Sequence, residues 1–214
     1  MRTFCLFLFC ALFSVGSVTG LTTGSALSAS QKPEPHQTTF ELPVPPGWKT
    51  ETIPFPLGFA PELPYRGVEE LRFAPGFFKA GQPDFWSYAF VWYLEGNPDF
   101  SADDLSSDLK AYFQGLAKAV EKKEVYTSDK AAVKTDLKKV AASPAGHTLY
   151  VGTVANYDAF VTHNRLLLNL KIDVFRCEKE QRKVVVCQLS PQPTTHEIWK
   201  TLEQIANGFQ CSRP

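Results

Sequence analysis

The chain of 214 residues has no charge excess: 22 Lys and Arg stand against 22 Asp and Glu. Phosphate binding needs a cationic surplus on one face, so the balance argues against a nucleic-acid partner. Gly-rich phosphate loops are absent, as are His-Glu-x-x-His, Cys-x-x-Cys and Gly-x-Ser-x-Gly. No motif calls for a cofactor or a resident metal. Histidine is scarce at four and cysteine at five, two of the cysteines lying in the first ten residues. Only one apolar run is long enough to suggest a membrane, and it is the first segment. Leu166-Leu167-Leu168 is soon interrupted by Asn169, Lys171 and Asp173.

That first segment reads as a targeting signal. Arg2 precedes an almost unbroken apolar run from Phe4 to Val15, which stops at Gly16-Ser17-Val18-Thr19-Gly20. The run falls short of the ~20 apolar residues that span a bilayer. Val18 and Gly20 fit the small-residue positions of a cleavage site, so residues 1–20 are predicted to be removed, with a site near Ala26 as the alternative. The mature chain is then expected outside the cytoplasm, periplasmic or extracellular, without a transmembrane segment. Residues 21–37, rich in Ser, Thr, Gly and Pro, read as a flexible leader, and residues 38–214 as one domain. Such a domain buries about 70% of its unfolded surface, enough for one core.

Export leaves Cys177, Cys187 and Cys211, hence at most one internal bridge. Cys187 lies inside Val184-Val185-Val186-Cys187-Gln188-Leu189 and reads as a small buried hydrophobe. A reactive thiol is the rival reading, but nothing beside it in sequence lowers its pKa. Cys177 ends a strand and Cys211 follows the last helix, so these two form the expected disulfide. On the chain-entropy argument it contributes roughly 3 kcal/mol.

Nine prolines fall between Phe40 and Pro83, which excludes helix and central strand there. The same stretch carries Phe40, Trp48, Phe55, Leu57, Phe59, Tyr65, Leu71, Phe73, Phe77 and Phe78, so it is expected to wrap the core as an arm of edge strand and ordered loop. Val68–Phe73 and Phe85–Leu94 read as strands. Ser101 and Asp104 form a capping box for a helix reaching about Lys122, with Leu105, Leu109, Tyr112, Phe113, Leu116 and Val120 on one face. Residues 131–142 fit both strand and helix periods, and the Ser143-Pro144-Ala145-Gly146 turn after them favours strand. Leu166 to Val174 alternates apolar and polar, the pattern of an antiparallel strand solvated on one face. A further strand runs from Lys183 to Leu189. Thr194 and Glu197 predict another capping box for a final helix bearing Ile198, Trp199, Leu202, Ile205, Ala206 and Phe209. The fold class is α+β: an antiparallel sheet with two main helices packed on it and a proline/aromatic-rich N-terminal arm.

Three groups of residues are candidates for function. Tyr65, Arg66, Glu69 and Glu70 pack charge and an aromatic between a proline-rich loop and a strand. With Trp86 and Tyr88 they would make a pocket rim over an aromatic floor, Arg66 taking an anion or carboxylate. The alternative is an ion pair pinning the arm to the sheet. Asp158, five residues before His163, would orient it as a general base, with Ser87 or a water as nucleophile; the alternative is a turn residue beside a solvated acid. Asp103, Asp104 and Asp108 offer oxygen ligands, but capping and the helix dipole already call for acids there. Of the other histidines, His36 lies in the leader, His147 beside a turn and His196 in the first turn of the last helix.

The Pro45-Pro46-Gly47-Trp48 stretch, the Ser101-capped helix, the antiparallel meander and a final helix with Ile198-Trp199, Ile205 and Phe209 resemble, in element order, the Mog1/PsbP-like α/β/α sandwich. That family consists mostly of binding and assembly factors. The resemblance implies a non-enzymatic module engaging a protein or cell-envelope component. It carries over no site residue. A small hydrolase and a small-ligand carrier, with its pocket between helix and sheet, stand as the alternatives.

Overall fold

The computed structural model describes residues 39–121, 132–142 and 146–212. The expected signal and leader (with His36), Lys122 at the expected end of the first helix, and most of the Ser143–Gly146 turn lie outside the described residues. Seven strands and two helices follow in chain order: β1 (Lys49–Phe55), β2 (Gly67–Phe73), β3 (Tyr88–Glu95), α1 (Ala102–Val120), β4 (Lys134–Ala142), β5 (Thr148–Tyr157), β6 (Arg165–Cys177), β7 (Arg182–Ser190) and α2 (Ile198–Asn207). The strands form a single antiparallel sheet in the order β1-β2-β3-β7-β6-β5-β4. The expected class, α+β with an antiparallel sheet and two helices on it, is the class observed.

Alternation along the central strand assigns the layers. Tyr88, Phe90, Trp92 and Leu94 of β3 point to one side, into a core shared with Leu105, Leu109, Tyr112 and Phe113 of α1. Ala89, Val91 and Tyr93 point to the other, against Trp199, Leu202 and Ile205 of α2. The helices therefore lie on opposite faces. β3 and β7, covered on both sides, are buried along most of their length, and their middles, Tyr88–Leu94 and Val184–Cys187, are apolar.

β1 is an edge strand, where Pro54 gives up no ladder bond that a second neighbour needs. Leu57, Ala60 and Leu63 then bury against α1 and the sheet. On the other face, Phe40 packs on Tyr93 at 4.6 Å, and Glu41 exchanges backbone hydrogen bonds with Gln210.

Local signals are realised with three adjustments. Ser101 caps α1: its Oγ accepts from the Asp104 N–H at 3.1 Å, and the Asp104 carboxylate accepts from the Ser101 N–H at 2.9 Å. Residues 134–142 are strand, paired to β5 along their length with one register shift between Lys139 and Ala141. β3 starts at Tyr88, not Phe85, because Trp86 takes a left-handed backbone conformation, φ 50°, in the turn that precedes it. The expected capping box of α2 does not form. Glu197 is already helical, and the turn over Thr194–His196 places the His196 Nδ1 to accept from the Ile198 N–H at 3.2 Å.

Gly115 shows how closely arm and helix meet. A Cβ there would lie 1.9 Å from the Phe59 carbonyl oxygen. Gly→Ala inside a helix normally stabilises by about 1 kcal/mol. Gly115→Ala is expected to do the reverse, lowering the denaturation midpoint, because backbone and not a side-chain tip would have to move. A raised midpoint would show that the arm is not seated on α1.

Candidate functional site

Glu69 and Glu70 are neighbours on β2, so their side chains leave opposite faces of the sheet. Both are buried, at 0% and 7% exposure. Glu70 belongs to the α2 side, where Arg72, two residues on and therefore on the same face, donates from Nη1 at 2.7 Å. The Thr52 hydroxyl also donates to it. Arg72 reaches further, to the carbonyls of Leu42 at 2.9 Å and Pro43 at 3.0 Å. The ion pair therefore lies within β2, its cation is Arg72 and not Arg66, and the arm is pinned to the sheet by the same guanidinium through the Leu42 and Pro43 carbonyls. Arg66 is exposed and lies just before the strand.

Glu69 enters the α1 side, where no cation among the described residues pairs with it. Its Oε1 accepts from the Trp92 indole N–H at 3.1 Å. Burial drives its pKa up to about 8; donation from Trp92 and Tyr112 opposes this, and the charge of Glu51 adds to it. The same pocket of low dielectric raises the phenols of Tyr88 and Tyr112 and the thiol of Cys187, burial first and the Glu69 charge second. Cys187 is buried on the same face of the sheet as this cluster.

Tyr65 closes the outer end of this layer. Its hydroxyl donates to Asp108 of α1 at 2.6 Å, and burial, with that acid, holds the phenol well above its ordinary pKa. Trp86 and Tyr88 are buried to 1% exposure. Trp86 packs on Phe77 at 5.0 Å and Phe160 at 5.7 Å, and Tyr88 stacks on Phe73 at 5.9 Å. Of the six proposed rim residues, Glu69, Trp86 and Tyr88 share the inner layer, Glu70 faces the other one, Tyr65 is half-buried and Arg66 stands outside. The space between α1 and the sheet, where a carrier's pocket was expected, holds rings: Phe90 and Tyr112 stack at 5.4 Å.

Asp158, His163 and Ser87 have separate partners. The Asp158 carboxylate accepts from the backbone of Phe160 (3.0 Å), Val161 (3.1 Å) and Thr162 (2.7 Å), and from the Thr162 hydroxyl at 2.7 Å. Burial pushes this acid's pKa up, yet the donors, Thr162 foremost, outweigh it and the net shift is downward. His163 points its Nδ1 at Glu121, 3.2 Å away, with its own side chain 54% exposed. Ser87 Oγ lies 2.8 Å from Ser190 Oγ, inside the protein. Of the helix acids, Asp104 serves the cap and Asp108 holds Tyr65. Cys177 and Cys211 form the expected disulfide, with Cα atoms 5.5 Å apart.

Sequence reasoning passed over Arg72, Trp92 and Tyr112 as partners for these acids. The period-2 pattern of β2 carried part of the signal, since it sets Glu69 in line with Leu71 and Phe73 and sets Glu70 in line with Arg72. It also passed over the outer face of β4, β5 and β6. There Leu149 is 38% and Leu167 55% exposed, and Lys134, Asp136 and Lys138 of β4 stand opposite Ala155, Thr153 and Val151 on the same face.

A buried acid with a raised pKa binds its proton more tightly folded than unfolded, so its contribution is complete below pH 4 and is lost as pH climbs toward 8. Wild type should lose stability relative to Glu69→Gln between pH 5 and pH 8, by at most about 1.4 kcal/mol per pH unit. Urea melts of both chains at each pH check this, and parallel curves would refute it. No family model matches the chain, and no curated protein is significantly similar to it.

Proposed function

We propose that the protein is an exported, non-catalytic binding module whose contact surface is the outer face of β4, β5 and β6. The observation that carries this reading is the incomplete outer layer. α2 packs on β7 and β3 and reaches β6 at Lys171, which pairs with Glu203 at 2.7 Å and lies over the Trp199 ring, while Leu149 of β5 and Leu167 of β6 stay exposed. Leu149, Val151 and Ala155 line β5 there, with Leu167 opposite Ala155. Lys134 sits beside Ala155 and Lys138 beside Val151. A protein partner that brings an apolar patch with acidic residues at its border fits this surface.

The edge strand favours contact through the face over strand addition. Lys134, Lys138 and Lys139 stud β4, a device that discourages pairing with a further strand. The apolar run from Phe4 to Val15 and the disulfide both accord with an oxidising, exported location. The Mog1/PsbP-like resemblance points to binding or assembly as well. Asp158 and His163 of the hydrolase alternative are already engaged, the acid in holding a turn and the histidine in pairing with Glu121.

The test places a photo-crosslinking amino acid at Leu149 or Leu167 in the mature protein and, as control, at the exposed Glu62 of the arm. One protein adduct is expected from the sheet positions and none from Glu62. Leu149→Lys with Leu167→Lys should weaken binding of that partner by about tenfold or more while the circular dichroism spectrum stays native. The same adduct from Glu62, or no adduct from either sheet position, would count against the reading.

A further inference from the structure

The Cys177–Cys211 bridge has a companion that its structural role does not explain. The β6–β7 hairpin turns over Glu178, Lys179, Glu180 and Gln181. Glu178 and Lys179 are exposed, whereas Glu180 folds back, half-buried, so that its carboxylate oxygen and the two sulfurs all lie within 4.8 Å of one another. Two nearby cations are used elsewhere: Arg182 pairs with Glu95 at 3.2 Å and Arg176 with Glu178 at 3.4 Å. Among the described residues Glu180 has no ion pair.

We propose that, once the disulfide is reduced, Cys177, Cys211 and Glu180 form a three-ligand site for a thiophilic divalent cation of the zinc type. A tetrahedral ion with bonds of about 2.3 Å to sulfur and about 2.1 Å to oxygen spaces its ligand atoms about 3.6–3.8 Å apart. The 4.8 Å envelope holds that triangle, and backbones already bridged at a Cα separation of 5.5 Å can present both sulfurs to one ion by side-chain rotation. Tyr93, Phe175 and Phe209 pack in the same apolar cluster as the two cysteines, which lowers the dielectric around the charges. A fourth position stays open on the solvent side, because Cys211 and Glu180 are only half-buried.

The chemistry balances with a dithiol as reductant. Two electrons pass from the dithiol to the sulfur–sulfur bond, which breaks; the dithiol closes to its own disulfide and its two protons go to the cysteine sulfurs. The cation then displaces those two protons and bonds to both thiolates and the carboxylate. Without a cation, the reduced site would collect up to three negative groups in a small volume. The same residues would therefore hold the C-terminal tail in either state, covalently when oxidised and through the ion when reduced.

The experiment reduces the full mature chain with a phosphine, removes it anaerobically and titrates Co²⁺, a coloured stand-in for Zn²⁺, with Zn²⁺ then added in competition. Reduced protein should bind one Co²⁺ with a near-ultraviolet thiolate-to-cobalt band that Zn²⁺ abolishes, and oxidised protein should give none. Cys177→Ser and Cys211→Ser should each lose the band, while Cys187→Ser keeps it. Glu180→Gln leaves both thiols in place and should weaken the metal by about tenfold or more. No band in the reduced chain, a band that survives loss of either Cys177 or Cys211, or full affinity in Glu180→Gln would each overturn the site.

Discussion

Everything in this protein leans on one strand. Seven of the eight residues of β3 are buried, and the strand is covered on both faces and flanked on both edges. Its alternation sends an aromatic row of Tyr88, Phe90 and Trp92 toward α1 and the pair Val91 and Tyr93 toward α2. Burying one such side chain contributes about 1.5–3 kcal/mol, so the row alone rivals the 5–15 kcal/mol typical of a whole domain. Each outer layer is positioned by meeting it: α1 through Tyr112 stacked on Phe90, the arm through Phe40 on Tyr93. A polar substitution in β3 would therefore unseat a layer and not merely open a gap.

The two acids of β2 show how one strand handles charge in opposite ways. Glu70 faces a guanidinium that also collects two carbonyls of the arm, so its burial fixes where Leu42 and Pro43 lie. Pairs of this kind contribute little net stability, but removing one partner is costly, which makes them devices for specificity. Glu69 faces rings and an indole N–H, and burial answers by keeping its proton on. The first arrangement orients the arm. The second makes the α1 layer sensitive to alkaline pH through a single side chain, because the neighbouring phenols and thiol also favour their neutral forms.

What the sequence made legible was local. The Ser101–Asp104 box, the alternation of β6 and the Cys177–Cys211 pairing each depend on residues whose roles are set by near neighbours or by elimination. The charged partners were not legible, since they depend on where the arm lands. Arg66 is close in sequence to Glu69 and Glu70, yet Gly67, at φ 131° and with no room for a Cβ beside Tyr93 O, starts the strand beyond it and leaves the guanidinium outside. Trp86 misled for a similar reason. It sits in an aromatic run that reads as strand, but its left-handed backbone turns the ring inward against Phe77 and Phe160. Composition gives no sign of either event.

The exposed outer face follows from arithmetic on the elements. Seven strands spaced about 4.8 Å apart make a sheet roughly 29 Å wide. The 19 residues of α1 span about 28 Å, enough to cross most of it. The ten residues of α2 span about 15 Å and, with a width of about 10 Å, cover two or three strands. Its position is not free to drift toward β5. Trp199 donates its indole N–H to the Gln192 carbonyl at one end, while at the other the Glu41–Gln210 bridge and the disulfide to the end of β6 hold the tail. Fixed over β3 and β7, a helix of that length leaves Leu149 and Leu167 exposed. The bare surface is thus a consequence of how the C-terminal segment is anchored, and shifting it would require breaking three separate attachments at once.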